Sequence, residues 1–175
     1  MVKKPHISLA KSVFIGIGSN VGQSYKNCVT AIKNISSDKR ADLRSISSFY
    51  LTSPVSDIEQ NDFVNCAIVI DWNGTPEELL EFLQSIENTM GRVRNVNKGP
   101  RIIDLDILLF GDRIIDTDIL TVPHKELHRR KFALMPCLEI EPDLVLMRPL
   151  ASFLAEIGED QRIEKIEGIG FDDGE

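Results

Sequence analysis

The sequence predicts an α+β fold, and three patterns carry that prediction. Apolar residues alternate with period two near 43–51, 63–71 and 103–110, and a short apolar run precedes them at 12–18. Two stripes with a period near 3.6 lie between these strands, at 24–34 and 75–90. The order is therefore β-α-β-β-α-β, the split β-α-β or ferredoxin-like arrangement, with an additional C-terminal strand and helices. At 175 residues the chain is expected to form one domain over 1–175. Its core would span about 12–157, followed by a flexible acidic tail over 158–175.

The first strand, Ser-Val-Phe-Ile-Gly-Ile-Gly at 12–18, reads as short and buried. A turn at 18–22 leads into a helix that places Cys28, Ala31, Ile32 and Ile35 on one side. A half-buried strand over 43–51 precedes a polar loop over 52–62, and loops of such length are more often functional than idle. The strand at 63–71 puts Val64, Cys66, Ile68 and Ile70 on one face and Phe63 and Asn65 on the other. Thr75-Pro76-Glu77-Glu78 carries a cap, a first-turn proline and a capping-box glutamate. Leu79, Leu80, Leu83, Ile86 and Met90 form that helix's buried stripe, and Gly91 stops it. Beyond the strand at 103–110 follow a turn, a short strand at 114–115 and a loop over 117–128. A helix over 129–138, an edge strand over 144–147 and a last helix over 150–157 complete the reading. In the tail, Ile163, Ile166 and Ile169 could anchor part of the chain.

Bulk properties narrow the function. A net charge of −7 is wrong for a general nucleic-acid binder. Three cysteines, Cys28, Cys66 and Cys137, have no CxxC spacing, which fits core filler in a reducing compartment. No run of about 18 apolar residues and no signal segment occur, so a cytoplasmic protein with no membrane partner is expected.

The chemistry concentrates at Gly99-Pro100-Arg101-Ile102-Ile103-Asp104-Leu105-Asp106. On a strand, Asp104 and Asp106 share a face with roots about 6.5–7 Å apart. Ile103, Leu105, Ile107 and Leu109 would form an unbroken row on the other face. At an effective dielectric near 20 the two acids repel by about 2.5 kcal/mol. A magnesium site reverses that sign, because Mg²⁺ takes few carboxylates and fills its shell from phosphates and water. The alternative is a solvated strand face salt-bridged to nearby arginines. Arg92, Arg94, Lys98 and Arg101 stand beside the pair with no acid among them, which suits phosphate groups or an ordinary charged loop. His124 precedes a second basic cluster of Lys125, Arg129, Arg130 and Lys131, and could donate to a phosphate oxygen or remain a surface histidine. Gly16-Ile17-Gly18-Ser19-Asn20-Val21-Gly22 is one residue too long for a dinucleotide fingerprint, so these glycines read as a tight turn. No phosphate-binding GxxxxGK[ST] segment occurs. Phe63 and Asn65 together suit a flat heterocycle, or else a core ring beside a wet rim.

Taken in order, several segments resemble the hydroxymethyl-dihydropterin pyrophosphokinase family of folate biosynthesis. They are Gly18-Ser19-Asn20-Val21-Gly22, Tyr50-Leu51-Thr52-Ser53-Pro54 and Gln60-Asn61-Asp62-Phe63-Val64-Asn65. Ile86-Glu87, Gly91-Arg92-Val93-Arg94, the 99–110 stretch, Pro123-His124 and Arg130-Lys131-Phe132 continue the series. The resemblance covers residues 13 to about 150. It implies transfer of pyrophosphate from ATP to 6-hydroxymethyl-7,8-dihydropterin, with AMP leaving. It also implies two Mg²⁺ ions on Asp104 and Asp106, with Arg92 and Arg101 on the reacting phosphates. Glu87, Arg92, Arg94, Arg101, Ile107, Thr121, His124 and Arg130 would serve ATP. Thr52, Pro54, Val55, Phe63, Asn65 and Phe132 would surround the pterin, and the protein would act as a monomer. The chain departs from the pattern at Ser56, where a glycine is frequent. It departs again at Lys98, where some members have tryptophan, and at Ile119, where some have a basic residue. The rival expectation is a non-catalytic ferredoxin-like module binding a small molecule or RNA.

Overall fold

The computed structural model describes residues 12–56, 58–92 and 99–171. A six-stranded antiparallel sheet forms its centre, in the order β5 (Asp104–Phe110), β1 (Ser12–Ser19), β4 (Phe63–Trp72), β3 (Tyr50–Thr52), β8 (Ile163–Lys165). The sixth strand, β2 (Ala41–Ile46), pairs with the other half of β4. The expected strand over 43–51 is thus two strands. They part at Ser47, which donates its N–H to the Ala67 carbonyl and accepts the Ala67 N–H on Oγ, both at 2.9 Å. A side chain there does the work of a ladder partner, and the chain bends.

Two helices cover one face. Helix α1 (Ser24–Ser36) buries Cys28, Val29, Ala31, Ile32 and Ile35. Helix α2 (Pro76–Thr89) has the expected capping box: Glu78 N–H donates to Thr75 Oγ1 at 3.1 Å, and Thr75 N–H donates to Glu78 Oε2 at 2.7 Å. Leu79, Leu83 and Ile86 are buried, Leu80 and Met90 pack at the margin, and Gly91 leaves the helix at φ +86°. These side chains meet Val13, Ile15, Ile17, Cys66, Ile68, Ile70, Leu105 and Ile107 from the sheet.

The opposite face holds a second core, where Phe14, Ala67, Val69, Leu108 and Leu109 meet α3 (Lys131–Ile140) and α4 (Ala151–Leu154). Leu109 therefore does not continue the row of Ile103, Leu105 and Ile107. The β1–β5 register slips between Phe14↔Leu109 and Ile15↔Ile107, a bulge that turns Leu108 and Leu109 to one side and returns Phe110 to the first core.

Other elements shift as well. The loop expected over 117–128 contains β7 (Thr121–Val122), paired with β6 (Ile115–Asp116), and ends in a 3-10 turn at Leu127–Arg129. Arg130 is extended at φ −121°, ψ 107°, so α3 starts at Lys131, two residues later than expected, and runs to Ile140. In place of the edge strand at 144–147 there is a single bridge between Val145 and Pro149, a residue with no N–H to extend a ladder. The last helix is only the turn of α4. The segment from Gly158 contains β8, and Ile166 packs against the first core. Among the described residues no helix is long and apolar enough to cross a membrane.

Candidate active site

At one end of the second face the sheet is left uncovered. A cleft of about 500 Å³ opens there between β1, β4 and β5 on the floor and, on the walls, the 52–56 segment, Gln60, Arg101 and the 124–133 segment. The floor is open because β1 contributes glycine. Gly18 pairs with Asp104 and Gly16 with Asp106, so no side chain stands between the acids and β4. A Cβ on Gly18 would lie 2.5 Å from Asn65 Oδ1, and one on Gly16 would meet Leu108 at 3.2 Å. The expected tight-turn role for these two glycines is corrected: both lie inside β1, and only Gly22, at φ +68°, serves the turn.

The two acids do share a face, but their surroundings differ. Asp104 is clamped by guanidinium groups: Arg92 Nη1 lies 2.7 Å from Oδ1 and Arg101 Nη1 lies 2.6 Å from Oδ2. Asp106 is pushed up to about 7, first by burial and then by the charge of Asp104, with Arg130 and Arg92 opposing. One carboxylate is paired with arginines, and its neighbour is held toward its protonated form. Below them, buried Glu87 pairs with Arg92 and accepts the Leu105 N–H at 2.8 Å, fixing the start of β5. It supports Arg92 and does not line the cleft.

Buried Asn20 ties the rim together. Its Nδ2 donates to Gln60 Oε1 at 2.9 Å and to the Asn61 carbonyl at 3.0 Å, and its Oδ1 accepts the Arg101 N–H at 2.8 Å. One amide thus sets the long loop against the Gly-Pro-Arg turn. On the wall past β7, the His124 N–H donates to the Leu108 carbonyl, and His124 Nδ1 accepts the Glu126 N–H at 3.2 Å. Burial, then the charge of Arg130, lowers the pKa of His124. A neutral ring that accepts at Nδ1 carries its proton on Nε2, which makes that nitrogen a donor.

Beyond β4 the lining turns aromatic. Phe63, Asn65, Thr52, Val55 and Phe132 line this end, and Asn65 Nδ2 donates to Thr52 Oγ1 at 2.7 Å. Arg101 lies over the Phe63 ring and Arg130 over the Phe132 ring, at 5.7 and 5.5 Å. The fold therefore gathers Arg92, Arg101, Asp104, Asp106, His124 and Arg130 at one end, and Thr52, Val55, Phe63, Asn65 and Phe132 at the other.

Four expected residues do not line the cleft: Glu87, Pro54, Thr121 and Ile107. Ile107 points into the first core, on the other side of the sheet from Asp106, as its place in the alternation requires. Arg94 and Lys98 fall outside the described residues. The sequence reading missed Gly16, Gly18, Asn20 and Gln60 as site components; the period-two spacing of the two glycines was the available signal.

The model of the 7,8-dihydro-6-hydroxymethylpterin-pyrophosphokinase (HPPK) family matches residues 14–142. This chain belongs to that family. Named relatives agree with the HPPK assignment. The chain is 40% identical to the 2-amino-4-hydroxy-6-hydroxymethyldihydropteridine pyrophosphokinase of Haemophilus influenzae, over 83% of this chain and 90% of that one. It is 41% identical to the enzyme of the same name from Bacillus subtilis, over 73% and 76%. It is 38% identical to the folic acid synthesis protein FOL1 of Dictyostelium discoideum over 76% of this chain, but this spans only 20% of that longer protein. Among solved structures, an HPPK-DHPS in complex with substrates superposes with a TM-score of 0.65 at 15% identity, over 83% of this chain and 43% of that one. That likeness shows an HPPK-type α+β fold.

Proposed function

We propose that this chain transfers the terminal pyrophosphoryl group of ATP to the hydroxymethyl oxygen of 6-hydroxymethyl-7,8-dihydropterin, a step of folate biosynthesis. The oxygen attacks the β-phosphorus, the bond from that phosphorus to the α–β bridging oxygen breaks, and AMP leaves with that oxygen. The observation that carries this reading is the Asp104–Asp106 pair on an uncovered sheet face, with arginines on one side and a ring pocket on the other, in a member of the HPPK family.

The donor set fits magnesium. Among the described residues no three His, Cys, Asp or Glu side chains form a closed metal cage. Two carboxylates, one with a raised pKa, suit an ion whose remaining ligands are phosphate and water. Asp104 and Asp106 would hold two Mg²⁺ ions, which neutralise phosphate charge and acidify the attacking hydroxyl. Arg92 and Arg101, which pair with Asp104, would turn to the phosphate oxygens. His124, through Nε2–H, and Arg130 would bind the nucleotide's phosphates. Glu87 would serve ATP indirectly, by holding Arg92. Phe63 and Phe132 would stack on the pterin, with Asn65 and Thr52 reading its edge. The strand order, with the first and third main strands central, supports a ferredoxin-like core. One domain, a monomer and a cytoplasmic location complete the reading, with neither nucleic acid nor membrane as partner.

The nucleotide product tests the proposal. Incubation with Mg-ATP and the pterin yields AMP in step with pterin diphosphate. Formation of ADP would mean simple phosphoryl transfer and would overturn the assignment. Binding of both ligands without any product would favour a non-catalytic module.

A further inference from the structure

The residues from Gln161 to Lys165 lie beyond the family match, which ends at 142, yet they hold Ser53 and Thr52 of the cleft and the neighbours of Phe63 and Phe132. Gln161 grips the start of α3: the Lys131 N–H donates to its Oε1 at 3.0 Å, and its Nε2 donates to the Arg129 carbonyl at 2.8 Å. These bonds bracket Arg130 and end one residue before Phe132. The main chain of Arg162 grips Ser53, a cleft residue. Ser53 N–H donates to the Arg162 carbonyl, and Arg162 N–H donates to Ser53 Oγ, both at 3.1 Å. The Arg162 side chain forms an ion pair with Asp62, next to Phe63. Then β8 pairs with β3, Ile163 opposite Thr52. Lys165 reaches Glu139 near the far end of α3 at 3.1 Å, where that carboxylate also accepts from Ser48 and Tyr50. Helix α3 needs such ties. Its start has no side-chain cap, and Pro136 offers no N–H to the Phe132 carbonyl.

We propose that residues 161–165 are a positioning brace for the acceptor half of the cleft, with Gln161 setting Phe132 and Arg162 setting the Ser53–Phe63 loop. The inference rests on the pyrophosphokinase reading for the identity of the ligand. The brace touches neither Asp104, Asp106 nor Arg92; its Arg162 arm reaches the acceptor end alone, whereas its Gln161 arm also brackets Arg130. Two ring walls and an amide must hold a spacing that suits a flat heterocycle, and both walls are tethered to this strand. A loosened brace lets the walls drift apart while the phosphate end stays fixed.

The test uses the full chain with Gln161→Leu and Arg162→Ala, and with the charge exchange Asp62→Arg plus Arg162→Asp. Pterin binding is read by its fluorescence in the presence of a non-hydrolysable ATP analogue, and binding of the Mg-bound analogue is read by calorimetry. Each single variant is expected to weaken pterin binding by about fivefold or more, the scale of one lost hydrogen bond. Nucleotide affinity should stay within about twofold in Arg162→Ala and fall less than pterin affinity in Gln161→Leu, and the charge exchange should recover most of the loss caused by Arg162→Ala. Equal weakening of both ligands by Arg162→Ala would mean general destabilisation and would overturn the brace, as would unchanged pterin binding in both single variants. Failure of the wild-type chain to bind pterin at all would instead overturn the pyrophosphokinase reading and take the brace with it.

Discussion

The two faces of the central sheet are made from the same strands and have opposite fates. One face carries Val13, Ile15, Ile17, Ile68 and Ile107 and is sealed by α1 and α2. The other carries Phe14 and Val69 at its closed end, under α3. At its open end it carries Gly16, Gly18, Asn65, Asp104 and Asp106. Period-two geometry sends neighbours to opposite environments, so a single strand supplies core and cleft floor at once. Stability is concentrated on the sealed face. The open face holds two like charges, an acid with a raised pKa and a glycine gap, none of which helps the ligand-free fold.

Substitutions on the two faces should therefore separate activity from stability. The largest effect is expected from Asp106→Asn and Asp104→Asn. Each should lower turnover by about 10³-fold or more, since the variant loses a charged ligand for the ions on the phosphates. Asp106→Asn should melt no lower than the wild type at pH 8, because it removes a like-charge contact. A wild-type rate in either variant, measured as AMP release, would break the comparison. On the sealed face, Ile15→Ala should cost about 2–5 kcal/mol in denaturant unfolding and leave turnover per folded molecule unchanged. Gly18→Ala lies between the two. Its methyl must displace the Asn65 amide, so it should cost about 1–3 kcal/mol and raise the KM for pterin more than that for ATP.

The remaining effect is a pH slope. The carboxyl of Asp106 is raised to about 7 in the ligand-free fold, so its favourable contribution comes from the protonated form. That contribution is complete below the unfolded value near 3.8 and is lost as pH rises through about 7. Thermal melts of the ligand-free protein should show this decline between those values, and Asp106→Asn should flatten it. Over the same range, binding of Mg-ATP should release a proton, measured as a buffer-dependent heat. Glu139, at the far end of α3, has the opposite sign. Burial raises its pKa, but hydrogen bonds from Ser48, Lys165 and Tyr50 prevail and leave it lowered. Its contribution is present above the unfolded value and fades as pH falls through the folded one.

The sealed face was legible in the sequence and the open face only in part. The capping box at Thr75, the α2 stripe and the shared face of Asp104 and Asp106 all follow from local chemistry or a fixed period. The Leu108–Leu109 bulge does not, because it depends on how β5 registers against β1. The glycine floor was legible in principle. The period-two rule that joined the two aspartates also joins Gly16 to Gly18, but a glycine-rich run beside a helix looks like a turn. Both readings of Asp104, metal ligand and partner of arginines, had a physical basis. The structure displays the arginine pairs, with the raised Asp106 beside them. The ties made by Asn20, Glu87 and Gln161 span long stretches of chain, where no local pattern could announce them.

The most direct test of the account is a crystal structure of the chain with Mg²⁺, a non-hydrolysable ATP analogue and the pterin. The account predicts metal density touching Asp104 and Asp106, Arg92 and Arg101 turned to phosphate oxygens, and the pterin between Phe63 and Phe132. Ligands bound with Asp104 still paired to both arginines and no metal at Asp106 would contradict it.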